Sequence, residues 1–127
     1  MGRGSLFFFD GGCRPNPGPI EIAVVCGGRA YFRDDIGTGD NNEAEWLALR
    51  FALELAMSWK TPDPVFIGDS MLIVQQAKGA YRCRSRQLQP HVDAFREAAL
   101  HLPRIRLRHV PRSKNLAGIA LARRGLP

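Results

Sequence analysis

Apolar and polar positions along the chain change period several times, and each change marks a predicted element. Ser5–Phe9 is a compact apolar run that stops at Asp10, the pattern of a buried strand. The next stretch, GGCRPNPGP (Gly11–Pro19), is dense in Gly, Pro and Asn and predicts a loop. Ile20–Cys26 and Arg29–Ile36 predict two strands joined as a hairpin at Gly27-Gly28, and a polar loop covers Gly37–Asn42. From Glu43 to Trp59 the period becomes helical, with Ala44, Leu47, Ala48, Phe51, Leu55 and Ala56 on one apolar face. Asp40 or Asn41 is placed to cap this helix, and acidic residues in its first turn suit the helix dipole. Thr61–Pro64 breaks it. Val65–Ile67 predicts a short strand ending at Gly68-Asp69-Ser70, with Asp69 or Ser70 capping a helix that runs to about Ala77. After the basic connection Lys78–Arg86, a further amphipathic helix covers Gln87–Leu100. Arg104–Val110 alternates as a strand with one wet face, Pro111–Asn115 turns, and Leu116–Arg123 is a short final helix.

The predicted order is β-β-β-α-β-α-α-β-α. Three leading strands in a meander, followed by α/β crossovers, imply an α/β fold with a mixed sheet and helices packed on it. No repeat, low-complexity tract or linker interrupts the chain, and 127 residues suit one domain over 1–127. Hydrophobic residues at 45% and charged residues at 24% are the balance of a soluble globular protein. Cys13, Cys26 and Cys83 are odd in number and widely spaced, which points to a reducing compartment rather than a disulfide framework. The apolar run in MGRGSLFFFDGG is too short for a signal peptide or membrane span, so a cytoplasmic protein is expected.

Charge changes this picture. The net charge is +6, but residues 1–77 hold 6 Lys/Arg against 10 Asp/Glu, while residues 78–127 hold 12 against 2. An acidic half joined to a basic half suits a metal-binding site beside a surface that faces phosphate, or simply a solvated basic face. Within the acidic half, Asp10, Glu45 and Asp69 each sit at the end of a predicted element. Strand ends are where sites form in open α/β sheets, and clustered carboxylates repel unless a cation neutralises them. Mg²⁺, a hard ion that prefers oxygen, is the natural occupant. Each residue alone has a plainer reading: Asp10 as a turn start, Glu45 as a dipole partner, Asp69 as a cap.

Four segments then match one family in order and spacing. FFDGGCRPNPGP (Phe8–Pro19) resembles the first motif of the type 1 ribonuclease H family, a strand ending in Asp followed by Gly-Gly and Asn-Pro-Gly. NNEAEWLAL (Asn41–Leu49) is similar to its second, with Trp46 where Leu is usual after the Glu. IGDSMLIVQQAKG (Ile67–Gly79) resembles the third, and HVPRSKN (His109–Asn115) followed by ALA (Ala120–Ala122) the closing segment. The resemblance implies a five-stranded mixed sheet flanked by helices and two-ion hydrolysis of the RNA strand in an RNA–DNA hybrid, with Mg²⁺ or Mn²⁺ as cofactor. It places Asp10, Glu45 and Asp69 on three metal-binding carboxylates. It places the backbone amides of Gly11, Gly12 and Cys13, with the Asn16 and Asn42 side chains, at the minor groove, where the 2′-OH distinguishes RNA from DNA. Asn16 and Asn42 are equally suited to turn and cap roles.

One position departs from the pattern. The family's fourth carboxylate falls on Ile119, and residues 98–127 contain no Asp or Glu. His109 is a poor substitute, because its alternation with Leu107 places it inside a strand. The basic stretch KGAYRCRSRQ, with Arg82 and Arg84, suits sequence-blind phosphate contacts or an ordinary solvated connection. Two functions are therefore expected to compete. One is a metal-dependent endonuclease of reduced rate; the other is a degenerate relative that binds hybrid or structured RNA without cutting it.

Overall fold

The three leading strands form the expected meander. In the computed structural model, which describes residues 5–124, β1 (Leu6–Cys13) pairs antiparallel with β2 (Gly18–Cys26), and β2 with β3 (Arg29–Arg33). A two-residue β4 (Thr38–Gly39) also pairs with β2, opposite Gly18 and Pro19. On the other side of β1, β5 (Val65–Gly68) and β6 (Arg106–His109) run parallel to it and to each other, giving the path β3-β2-β1-β5-β6. Parallel neighbours need crossovers, and the helices supply them: α1 (Asn41–Ser58) before β5, α2 (Met71–Lys78) and α3 (Gln89–Ala99) before β6. The closing helix α4 (Leu116–Arg124) packs on β1 and β2.

Several boundaries differ from those expected. β1 does not stop at Phe9: Gly11, Gly12 and Cys13 pair with Ile22, Glu21 and Ile20, so a glycine pair that reads as a turn is strand. Pairing with β2 overrides the local turn propensity of Gly-Gly. At the other edge β3 ends at Arg33 rather than Ile36, and Asp35 adopts a left-handed backbone, φ 55°. The cap of α1 is Asp40, whose Oδ1 accepts the Glu43 N–H at 2.8 Å; that of α2 is Ser70, whose Oγ accepts the Ile73 N–H.

β1 is apolar on both faces because both are covered. Phe7 and Phe9 are buried with Trp46, Leu49, Phe66 and Phe95 in the main core, while Phe8 alternates to the other face and meets Ala23, Val25, Ala117 and Leu121 beneath α4. Trp46 is fully buried, and its Nε1 donates to Gln76 Oε1 at 2.9 Å, tying α1 to α2. Among the described residues no helix is long and apolar enough to cross a membrane.

Candidate active site

The period of two that sends Phe8 toward α4 sends Asp10 the same way. Two residues beyond the Phe8–Ile67 rung of the parallel ladder stand Asp10 on β1 and Asp69 just past β5, side by side at the same end of the sheet. Glu45 arrives from the other direction. A Cβ on Gly11 would lie 2.3 Å from the Ala44 carbonyl oxygen, so only glycine lets the first turn of α1 rest on the strand. That close approach lets Glu45 Oε1 accept the Gly11 N–H at 2.9 Å. Each of Asp10, Glu45 and Asp69 then offers an oxygen within 4.8 Å of the others. They open into a cleft of ≈ 530 Å³, which Asn42, Arg112 and Gly118 also line. Asn115, fully buried, reaches Asp69 Oδ2 with its Nδ2 at 2.8 Å.

The electrostatics are those of a site short of positive charge. Burial pushes the Asp10 carboxyl up, a hydrogen bond with Glu45 pulls it back, Asp69 raises it further, and the Gly11 N–H and Arg112 lower it. Glu45 is buried more deeply and is held well above the usual carboxylate range, first by burial, then by the Asp10 charge and the side-chain hydrogen bond with Asp10, then by Asp69. Without a cation, burial and the neighbouring carboxylates therefore disfavour the charged forms of Asp10 and Glu45, Glu45 the more strongly. Three oxygen donors that repel one another in a half-buried cleft fit a hard divalent cation, which would offset most of their charge.

A sequence profile of the family described as reverse transcriptase-like matches residues 9–125, nearly the whole chain. Ribonuclease HI of Halobacterium salinarum is 36% identical over 124 residues, which are 94% of this chain and 62% of that protein. The crystal structure of RNase H1 from the same halophilic archaeon superposes with a TM-score of 0.84 at 34% identity, covering 91% of this chain and 92% of that one. The chain belongs to the type 1 ribonuclease H family. A further ribonuclease H, LC11-RNase H1 in complex with an RNA/DNA hybrid, superposes with a TM-score of 0.77 at 31% identity over 87% of this chain and 88% of that one. The chain spans about three fifths of the length of the curated Halobacterium relative, 62%.

Against the ribonuclease H pattern, the predicted residues divide. Asp10, Glu45 and Asp69 converge, and Gly11, Gly12, Cys13 and Asn42 line the same cleft. The backbone amides of Gly11 and Cys13 do not face outward as expected. Because β1 continues through them, these amides, two residues apart, point to the edge where α1 lies, and they donate to Glu45 Oε1 and to Asn41 Oδ1 at 3.0 Å. Gly12 sits in the ladder opposite Glu21. Asn16 lies outside the cleft lining and is exposed; its Oδ1 accepts the Asn41 N–H at 3.1 Å. Arg82 and Arg84 are exposed on the connection between α2 and α3, apart from the cleft.

Ile119 is half-buried on α4 and does not line the cleft. Gly118, the residue before it, does: a Cβ there would lie 3.2 Å from Asp10 Oδ2 and 3.8 Å from Asp69 Oδ2. Neither residue offers a side-chain oxygen. Sequence reasoning misses Arg112, Asn41 and the side-chain bonds of Asn115. Arg112 and Asn115 fall within the quoted closing motif and Asn41 within the second, but the segment around Arg112 reads as a turn, Asn41 as a cap, and nothing local assigns the Asn115 side chain its partners.

Proposed function

We propose that the protein hydrolyses the RNA strand of RNA–DNA hybrids, with divalent cations held by Asp10, Glu45 and Asp69. The observation that carries this reading is the convergence of three carboxylates within 4.8 Å at the ends of adjacent strands, with Glu45 driven into the cluster by a glycine contact. A pair of Mg²⁺ or Mn²⁺ ions supplies Lewis-acid stabilisation of the charge that builds up during phosphodiester hydrolysis. The chain's own residues do the rest. Glu45 and Asp10, whose charged forms burial disfavours, would supply two of the oxygens that hold the cation. The exposed Asn42 side chain at the cleft rim, and Asn16, which is bonded to the preceding Asn41 N–H, contact the minor groove and the 2′-OH that marks RNA. Arg82 and Arg84, exposed and without an ion-pair partner among the described residues, take backbone phosphates irrespective of sequence. Three free cysteines suit a reducing cytoplasm.

A second reading, a hybrid-binding protein with little or no cleavage, is favoured by one observation: α4 presents Gly118 to this region, and neither it nor the adjacent Ile119 offers a carboxylate. One experiment separates the two. Labelled hybrid is incubated at low salt with Mg²⁺ and separately with Mn²⁺, using Asp10→Asn as control. Cleavage of the RNA strand that the control loses supports the nuclease. Hybrid retained in a gel shift, with the RNA strand intact in both metals, supports the binding protein.

A further inference from the structure

Where the β1–β5 ladder ends, one side chain takes over its work. The last registered rung is Phe8–Ile67, and the next carbonyl of β1, that of Phe9, accepts Asn115 Nδ2 at 3.0 Å instead of a strand N–H. The same nitrogen donates to Asp69 Oδ2 at 2.8 Å, so the two hydrogens of one amide are spent on the two strand ends. On its other side, Asn115 Oδ1 accepts the Ala117 N–H at 3.1 Å and the Asn115 carbonyl accepts that of Ile119 at 3.1 Å, which starts α4. The residue is fully buried. A single neutral side chain thus joins β1, the carboxylate after β5 and the helix that carries Gly118 against Asp10.

We infer that Asn115 is a positioning residue for the acidic site: its amide orients Asp69 toward the cation and seats α4 on the strand end that carries Asp10. The chemistry of the side chain fits this task better than any charged alternative. An Arg or Lys would neutralise Asp69 and repel a metal, whereas an amide donor fixes one carboxylate oxygen and leaves the full negative charge for the ion. A shorter hydroxyl would preserve the helix cap without reaching Asp69. The inference rests on the metal-site reading proposed above.

The test is Mn²⁺ affinity by calorimetry on the full chain, at a temperature well below unfolding, for the wild type, Asn115→Ser and Phe66→Leu. Serine keeps an oxygen for the Ala117 N–H and removes the donor to Asp69. Phe66→Leu loosens the core beneath β5 and touches no hydrogen bond of Asn115, so it reports destabilisation alone. Expected is a dissociation constant raised about 10- to 100-fold in Asn115→Ser, the scale for loss of a partner that orients a metal ligand, and unchanged in Phe66→Leu. A folded Asn115→Ser that binds Mn²⁺ like the wild type overturns the inference. Absence of Mn²⁺ binding by the wild type overturns the metal site itself, and the role of Asn115 falls with it. Should Asn115→Ser not fold, the wild type decides. Its Asn115 side-chain amide resonances must shift during a Mg²⁺ titration and saturate with the Mg²⁺ affinity that calorimetry gives; resonances that stay fixed overturn the inference.

Discussion

Replacing Glu45 by Gln separates what the acidic cluster costs the fold from what it contributes to metal binding. The substituted amide retains an oxygen for the Gly11 N–H, which Glu45 Oε1 accepts at 2.9 Å, and gains a hydrogen to offer Asp10. The change also removes one of three like charges from a buried position. The sign follows from the direction of the shift. A carboxyl whose pKa is raised in the folded state favours folding at acid pH, and that contribution is lost as pH rises through the raised value. At neutral pH the metal-free wild type carries this cost and Glu45→Gln does not. A hydrogen bond to a charged group contributes about 1.5–3 kcal/mol, so a net gain of about 1–3 kcal/mol is expected for the variant. For a chain of this size that corresponds to a melting temperature higher by about 3–10 °C. The assay is thermal unfolding followed by circular dichroism, in chelator at about pH 7.5 and about pH 4, then in saturating Mn²⁺. The stability gap should shrink at the lower pH, where the wild-type carboxyl is protonated in both states. In Mn²⁺ the wild type should gain more than the variant and the order should narrow or reverse. A Glu45→Gln protein that melts at or below the wild type in chelator at neutral pH would refute the reasoning, as would a gap that widens on acidification.

Three further outcomes are expected. Ile119→Asp restores a carboxylate beside Gly118 and should raise the hybrid cleavage rate on the order of 10²-fold while lowering metal-free stability; an unchanged rate would show that α4 cannot deliver a ligand from that position. Trp46→Phe removes the donor to the buried Gln76 Oε1 and should cost about 1–3 kcal/mol in urea unfolding; a neutral result would mean the Gln76 side chain finds another partner. The pair Arg82→Ala and Arg84→Ala should weaken hybrid binding alike for all sequences and flatten its salt dependence by about 0.7–0.9 per lost phosphate contact on a log–log plot; an unaltered slope would remove these arginines from the interface.

Much of this is legible along the chain. The helical face of α1, the Gly27-Gly28 hairpin and the breaks at Thr61–Pro64 are local signals, and the structure keeps them. Asp10, Glu45 and Asp69 can be singled out because each stands where a local pattern changes, and ordered motifs tie them together. What escapes depends on contacts distant in sequence. Gly11–Cys13 carry turn propensity, and only pairing with Ile20–Ile22 makes them strand, which in turn directs two amides inward. Whether Asp69 or Ser70 caps α2 is undecidable from spacing alone. Ser70 does so, and Asp69 is left free for Asn115, 46 positions away. Arg112 lies near Asp10 only because α4 folds back over β1 and β2.

The parallel pairing of β1 with β5 has a consequence for how the acidic site varies with mutation. Adjacent strands are held about 4.8 Å apart by backbone hydrogen bonds whatever their side chains. Asp10 and Asp69 leave neighbouring strands at the same level. Their separation is therefore set by the peptide ladder that ends two residues before them and by the Asn115 amide that bridges the two strand ends, and not by core volume. Changes at Phe7, Phe9 or Phe66 can erode stability while this span persists. Glu45 has no such protection, because its place depends on how closely a helix settles onto Gly11. Drift in the core should reach the chemistry through the helix-borne ligand first, with the strand-borne pair the last to lose its spacing.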